Sequence, residues 1–408
     1  MASARLLDPL RERDFARLWT GQAVSNAGDW VNYVALTALV FNMTGSAWMV
    51  AVLRACHAIP LLVIGPFAGV LVDRWNRKVT LIVVDVVRAG LVLLFPFVHD
   101  VGSIFLITIA FNVVSTLFAP AKNALIPNIV SNERLLTANS LSSTTQNMAM
   151  VIGPAVGGLI LAGSGTATAF YVDSASFLFS AVAIASMAAT GRAPVRARGE
   201  ERTSPWQEMV AGFSFTRSKI DVRSALLLEV GLTLGWGCIN VLAVVIASGL
   251  PGGGPTEYGL LLASIGAGSL LGALLIGGFG DRWPLTRLFP IGFLIISVAV
   301  AILAESRVLL AACLGYFMAG SGRVAIEVSA TTIYQRSVPD GLRGRIFALR
   351  YTVTHISILA ANQAAGLVTD AASVEPILLA SSALMLICTP LAVVLLSASR
   401  QTKAESNS

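Results

Sequence analysis

Charged side chains are scarce in this sequence. Only 12% of its 408 residues are Asp, Glu, Lys or Arg, and 55% are hydrophobic. A soluble domain normally carries about 25% charged residues. The mean hydropathy is +0.77. This composition excludes an ordinary soluble domain and predicts a polytopic protein embedded in a lipid bilayer.

The residues and motifs of metal and nucleotide chemistry are also few. The four cysteines, at 56, 238, 313 and 388, form no CxxC pair, which argues against a disulfide framework or a zinc site. Neither HExxH nor the phosphate-binding GxxxxGK[ST] pattern occurs. Gly278–Asp281 matches the GxGD pattern of intramembrane proteases, but the partner Tyr-Asp dipeptide is missing. We therefore expect no enzyme, no metal site and no cofactor.

Twelve apolar segments are long enough to cross a bilayer, which takes about 20 residues of helix. They cover residues 15–42, 46–72, 78–98, 102–125, 134–162, 166–190, 223–249, 256–280, 286–304, 308–335, 341–369 and 374–398. The predicted fold is all-α and integral to the membrane, with twelve transmembrane helices in two six-helix halves. The expected parts are the halves 1–191 and 223–398, a linker at 192–222 and a tail at 399–408. Within the linker, apolar residues at helical spacing in 205–217 predict a short amphipathic helix on the membrane surface.

The cations indicate the orientation of these segments. The net charge of +6 would suit nucleic acid, but Lys and Arg in membrane proteins mainly mark cytoplasmic loops. Of the 28 cations, 24 fall on one side of the predicted segments, together with both termini. Arg54, Arg88 and Arg323 lie inside segments, and Arg307 falls on the other side. We expect no nucleic-acid partner, a cytoplasmic-membrane location and both termini in the cytoplasm.

A polar motif recurs along the chain. Gly69–Lys78 reads GVLVDRWNRK, and Gly277–Trp283 repeats its Gly-x-x-x-Asp-Arg-Trp frame 208 positions later. Residues 130–141 and 338–349 form a second pair with the same offset. Two landmarks with one offset predict two pseudo-symmetric halves, which is a transporter architecture.

The recurring motif predicts a conformational latch. We expect Asp73 to bind the N-terminus of the eleventh segment near Gly341, where unpaired N–H groups favour a carboxylate. Asp281 would do the same at the start of the fifth segment. The alternative is that these charges only anchor loops and set topology. The expected latch residues are Gly69, Asp73, Arg74, Arg77, Lys78, Asp281 and Arg282.

The fifth segment contains GPAVGG, with Gly153, Pro154, Gly157 and Gly158. A proline flanked by glycines bends a membrane helix and lets a neighbouring helix approach closely. Helix flexing between states and ordinary close packing are both consistent with this pattern.

Charges inside a membrane are costly and commonly functional. Asp29 lies twelve residues past Arg17, about 18 Å along its helix at 1.5 Å per residue, near the midplane where ion sites concentrate. We expect Asp29 to pair with Arg54 of the next segment. The candidates for proton coupling and the cavity are Asp29, Arg54, Arg323 and Glu327. The other charges inside segments are Asp85, Arg88, Asp173 and Glu229.

Two pairs lie on single helix faces. Asp85 and Arg88 are three residues apart, and Arg323 and Glu327 are four apart, so each pair can form an ion pair on one helix face. A structural salt bridge is the alternative to a proton relay for both pairs. Glu229 lies six residues from Arg223, and we expect its side chain to reach the membrane interface.

Several stretches resemble the major facilitator superfamily, and within it the macrolide-efflux-like branch of drug:proton antiporters, which also holds siderophore exporters. They are Gly69–Lys78, Gly153–Gly158, Leu18–Asp29, Asp85–Arg88, Pro120–Pro127, Ala138–Leu141 and Arg343–Arg345. The resemblance covers nearly the whole chain. It implies a monomer that carries out secondary active transport by alternating access. The implied partners are a small molecule and protons. Two departures are Ala149, where the fifth-segment motif usually begins with Gly, and Phe111–Ser115, which lacks the basic residue that many drug antiporters carry.

The function expected from these features is export of a small amphiphilic drug or natural product by proton antiport. Siderophore export, and uptake or flipping of a lysophospholipid-like amphiphile, are the alternatives. A channel or receptor is a rival class, which the repeat and the buried charges disfavour.

Overall fold

The computed structural model describes residues 7–72, 75–190, 213–279 and 284–406. These residues form helices and connecting turns, with no β-strand among them. The main α-helices are α1 (Arg13–Thr44), α2 (Ala47–Val72), α3 (Arg77–Val92), α4 (Val101–Ser115), α5 (Phe118–Leu125), α6 (Leu135–Ala185), α7 (Ile220–Gly249), α8 (Pro255–Phe279), α9 (Leu285–Glu305), α10 (Leu309–Ser337), α11 (Asp340–Ala371) and α12 (Val374–Ser406).

The helices follow the predicted apolar segments. Among the described residues, nine stretches are long and apolar enough to cross a membrane. The predicted class, an all-α integral membrane protein, is therefore confirmed. The fourth predicted segment is divided between α4 and α5, and α6 covers both the fifth and the sixth.

One glycine divides α6 into two arms. Its 51 residues would extend about 76 Å as a straight helix, more than twice the hydrocarbon thickness of a bilayer. Gly165 interrupts it with φ 80° and ψ 172°, a conformation that side-chain-bearing residues rarely adopt. The arms before and after Gly165 correspond to the two predicted segments.

Local capping explains where several helices begin and end. The Asn76 side chain accepts the Val79 N–H at 3.2 Å at the start of α3. Asp100 accepts the Ser103 N–H at 2.7 Å at the start of α4. Such side chains satisfy N–H groups that the first helical turn leaves free. Gly45, with φ 63°, ends α1 and donates its N–H to the Phe41 carbonyl.

The residue contacts divide the chain into two compact units. The first comprises Met1–Gly45, Leu53–Gly199 and Gly254–Ala263, and the second comprises Ser46–Val52, Glu200–Gly253 and Ser264–Ser408. Each unit thus takes a short piece from the other half of the sequence. The predicted domain boundaries stay predictions, because 191–212 lies outside the described residues. Of the predicted amphipathic helix at 205–217, only the end is described, and 213–218 is helical.

In the first unit, α1 packs along both arms of α6, and α3 packs against α6 as well. One end of this unit has a core of buried side chains that includes Phe15, Leu18, Leu81, Phe118 and Leu125. In the second unit, α9 packs on α10 and α12, and α7 packs on α11 and α12. These two packing arrangements position the buried charges.

Candidate functional site

Charged side chains from three helices converge in the first unit. Arg88 of α3 lies with its Nη1 3.6 Å from Asp85 Oδ1. It also interacts electrostatically with Asp29 of α1 and Asp173 of α6. Asp85 and Asp173 are completely buried. The structure therefore forms the expected Asp85–Arg88 pair and adds two acids to it; we call these four residues the acid cluster.

The guanidinium of Arg88 is fixed from the side of α4. Its Nε donates to Ser115 Oγ at 2.8 Å, and its Nη2 donates to the Ser115 carbonyl at 3.2 Å. The ring of Phe118 lies 4.8 Å from the guanidinium carbon, and that of Phe177 lies 5.4 Å away. The break between α4 and α5, which follows Ser115, thus supplies a carbonyl for the arginine.

Asp173 occupies space that a glycine provides. A Cβ placed at Gly28 of α1 would lie 2.6 Å from Asp173 Oδ1 and would overlap Ser176 Oγ. Asn32 and Ser176 are the polar neighbours of this carboxylate. Only glycine at position 28 lets α1 approach the second arm of α6 this closely.

The expected pair of Asp29 and Arg54 is not formed, so this expectation was wrong. Arg54 donates to Thr37 Oγ1 at 2.9 Å and to the Tyr258 hydroxyl at 3.3 Å. Its guanidinium lies 3.8 Å from the centre of the Tyr33 ring. The arginine that interacts electrostatically with Asp29 is Arg88. Sequence spacing placed Arg54 at a suitable depth, but helix packing turns it toward tyrosines and a threonine.

The second unit contains an open cavity of about 530 Å³. Arg323 and Glu327 of α10 line it and form the expected ion pair, with Nε 2.7 Å from Oε1. Arg323 also lies 5.0 Å from the Trp236 ring. Both charged side chains are partly exposed, 29% for Arg323 and 40% for Glu327. The other residues that line the cavity are Glu229, Leu232, Thr233, Asn240, Phe347, Arg350, Tyr351, Thr354, His355 and Ile358.

Sequence reasoning missed the buried ion pair of Glu229 and Arg350. The charge pattern counts Arg350 among the 24 cations on the cytoplasmic side, and it predicts that Glu229 reaches the interface. Glu229 is instead only 3% exposed, and Arg350 binds it through Nε and Nη2. Arg350 lies ten residues into α11, about 15 Å at 1.5 Å per residue, and this depth was the signal available in the sequence.

Two of the expected latch residues, Arg77 and Lys78, donate hydrogen bonds to backbone carbonyl groups of the first unit. Arg77 donates to the Ala124 carbonyl at 2.9 Å, and Lys78 donates to the Met187 carbonyl at 2.6 Å. These carbonyls lie at or just beyond the C-terminal ends of α5 and α6, where cations are favoured. These contacts are consistent with the anchoring role that was the alternative, and the latch stays a prediction. Gly69 has open space around it, and Asp73, Arg74, Asp281 and Arg282 lie outside the described residues.

The GPAVGG motif is a place of close helix packing. A Cβ at Gly259 of α8 would overlap the Pro154 carbonyl and lie 2.9 Å from Gly158 Cα. A Cβ at Gly157 would lie 3.1 Å from Val31 Cα of α1. The small residues therefore let two helices approach the first arm of α6. Flexing of this helix stays a prediction.

Solved structures of transporters share this fold. The nucleoside transporter NupG has a TM-score of 0.75 at 12% identity, covering 96% of this chain and 99% of NupG. A bacterial homolog of the lysosomal transporter Spinster, in an inward-facing unoccupied conformation, has a TM-score of 0.69 at 15% identity, covering 96% of both chains. At these identities the likeness shows the fold.

Sequence relatives include named efflux proteins. The uncharacterized MFS-type transporter YfiS of Bacillus subtilis is 26% identical over 364 residues, covering 85% of both chains. Macrolide efflux protein A of Streptococcus pyogenes is 24% identical over 356 residues, covering 84% of this chain and 86% of that protein. The multidrug efflux pump Tap of Mycobacterium tuberculosis is 26% identical over 399 residues, covering 92% and 91%.

The family model described as transmembrane secretion effector, MFS_3, matches residues 4–408. This match spans both repeats of the polar motif, the acid cluster and the cavity. Its members, like the relatives above, are membrane transporters rather than enzymes. The chain therefore belongs to the transmembrane secretion effector family of major facilitator superfamily transporters.

Proposed function

We propose that this transporter exports a small amphiphilic compound across the cytoplasmic membrane by alternating access, driven by protons that move inward. The names of its relatives support the direction, because macrolide efflux protein A and the pump Tap are described as efflux proteins. We propose the monomer as the working unit.

The acid cluster is the observation that best supports the proposal of proton coupling. Asp29, Asp85 and Asp173 come from three helices and share Arg88. An ionised carboxylate buried without a compensating charge is costly. Three ionised acids would outnumber the one cation of the cluster, Arg88, so the cluster favours holding a proton. A movement of α1 against α3 and α6 changes how many acids Arg88 can compensate, and the cluster then takes up or releases that proton.

The cavity of the second unit is the proposed place for the substrate. Its wall combines aromatic rings, such as Trp236 and Tyr351, with the partly exposed Arg323–Glu327 pair. Ligand sites of this kind bury apolar surface and use a few polar groups to fix orientation. A molecule with both an apolar body and polar groups fits this lining.

Transport by purified protein in proteoliposomes tests the proposal. Efflux of a macrolide and of ethidium would be followed after an inward proton gradient is imposed. We expect efflux that stops when a protonophore collapses the gradient, and no gradient-driven efflux from protein-free liposomes. A siderophore and a lysophospholipid in the same assay address the alternative substrates. Transport whose rate does not depend on the proton gradient would contradict antiport. Movement of the substrate in the same direction as the protons would contradict it as well.

A further inference from the structure

Asp370, in the last turn of α11, caps the N-terminus of α2. Its Oδ1 accepts the Ala47 N–H at 2.7 Å, and its Oδ2 accepts the Trp48 N–H at 3.4 Å. The Ser46 hydroxyl donates a further hydrogen bond to Oδ2. These N–H groups belong to the first turn of α2 and have no partner within the helix. A carboxylate at this end is also favoured by the helix dipole.

The contact continues along one face of α11. Gln363 donates from Nε2 to the Ala51 carbonyl at 2.8 Å. A Cβ at Gly366 would lie 2.8 Å from Trp48 Cα, so the two backbones touch there. Positions 363, 366 and 370 are spaced by three and four residues and therefore share a helix face. This packing places Ser46–Val52 in the second compact unit, although the rest of α2 belongs to the first.

The cap is not needed to start α2. Ser46 is a favoured N-cap residue, and its Oγ already accepts the Met49 N–H at 3.1 Å. The caps of α3 and α4 are local in the same way, since Asn76 and Asp100 bind N–H groups three residues ahead. Asp370 lies 324 residues from Ser46. A carboxylate brought from so far along the chain adds a link between α2 and α11 rather than a missing cap.

We propose that Asp370 is a positioning residue that latches α11 to α2 at the end of α2 away from Gly69–Lys78. The latch is closed in this structure and opens when the transporter changes state. The inference depends on alternating access, which the proposed function also uses.

A buried reporter measures opening without any substrate. Ala47 is 2% exposed, so a cysteine there reacts with a thiol reagent only when the contact opens. The reporter is Ala47→Cys in purified full-length protein whose four native cysteines are replaced by serine or alanine. We expect Asp370→Asn to raise the labelling rate about tenfold, because losing a charge-assisted hydrogen bond shifts an equilibrium by that order.

Asp100→Asn is the matched control. Asp100 also caps a helix N-terminus, and hydrogen bonds from the Ser103 hydroxyl and N–H lower the pKa of its carboxyl. This cap is local to α4, so Asp100→Asn should leave the labelling of residue 47 unchanged. Equal labelling rates in Asp370→Asn and the parent, or an equal rise in Asp100→Asn, would overturn the latch.

A reversible cross-link gives a second test that does not depend on weakening the fold. In Ser46→Cys/Asp370→Cys, an oxidant should form a disulfide that holds the latch closed. We expect proton-driven ethidium efflux to stop on oxidation and to return on reduction. Full efflux with the disulfide formed would show that the contact is static and overturn the latch. Labelling faster in Asp370→Asn, together with no ethidium transport in the reduced protein, would support the latch and count only against the proposed function.

Discussion

Arg350 binds Glu229 through two nitrogens of its guanidinium in the interior of the second unit. Its Nε lies 2.9 Å from both carboxylate oxygens, and its Nη2 lies 2.5 Å from Oε1. Tyr334 donates its hydroxyl to Oε2 at 2.7 Å. This network joins α7, α10 and α11 beside the cavity. It leaves Arg323 and Glu327 as the more exposed charged pair.

Removing one partner of this pair should destabilise the protein. Arg350→Met leaves Glu229 buried without its cation, and such a change typically costs about 3–5 kcal/mol. The double variant Glu229→Leu/Arg350→Met removes both charges and should recover much of the lost thermal stability. The measurement is the unfolding temperature of detergent-purified protein. A double variant less stable than Arg350→Met would mean that the pair contributes more than mutual compensation.

The space at Gly28 gives a packing prediction. Gly28→Ala forces a methyl group against Asp173 and Ser176, and overpacking of this kind costs about 1–3 kcal/mol. The control is Gly163→Ala, because a Cβ at Gly163 has no neighbour within 4 Å. Thermal unfolding should show a loss for Gly28→Ala and none for Gly163→Ala. Equal stability of the two variants would contradict the close approach of α1 and α6.

Asp29 is the first candidate for the proton carrier and Glu327 the second. Asp29→Asn should abolish pH-driven efflux while leaving substrate binding and downhill exchange, because an amide cannot carry the proton. Asp100→Asn, outside the acid cluster, should keep full efflux. The assay is efflux from proteoliposomes with and without a pH gradient. If Asp29→Asn and Glu327→Gln both keep gradient-dependent efflux, the carrier lies among Asp85, Asp173 and Glu229.

The two copies of the polar motif should differ in importance. The first copy keeps Arg77 and Lys78, whereas Leu285 and Thr286 stand at the matching positions of the second. Asp73→Asn should therefore impair transport more than Asp281→Asn, with both variants reaching the membrane in normal amount. Negligible effects of both changes would reduce the motif to anchoring, the role in which Arg77 and Lys78 are seen.

Topology is testable by labelling intact cells. An impermeant thiol reagent added outside should not reach Arg198→Cys in the predicted cytoplasmic linker. Arg307→Cys is the matched variant on the predicted outer side and should be labelled. Labelling of Arg198→Cys in intact cells would contradict the predicted orientation. Failure of the reagent to label Arg307→Cys in the same cells would contradict it as well.

The sequence by itself determined the fold class and the pairs within a helix. Its long apolar segments predict membrane-spanning helices, because the backbone must satisfy its hydrogen bonds internally in lipid. The spacings of Asp85 with Arg88 and of Arg323 with Glu327 predicted pairs that the structure forms. Helical periodicity fixes neighbours three and four residues apart whatever surrounds the helix.

Only the tertiary structure decided which helices share their charges. Asp29 interacts electrostatically with Arg88 rather than Arg54, and Glu229 pairs with Arg350 at a separation of 121 residues. The Asp370 cap on α2 spans 324 residues. Apolar helix faces are equally stable against lipid, so helices associate in a membrane through small residues that allow close van der Waals contact. The contacts at Gly28 and Gly366 are examples. The rotation and crossing of each helix follow from that packing, and no local pattern in the sequence specifies them.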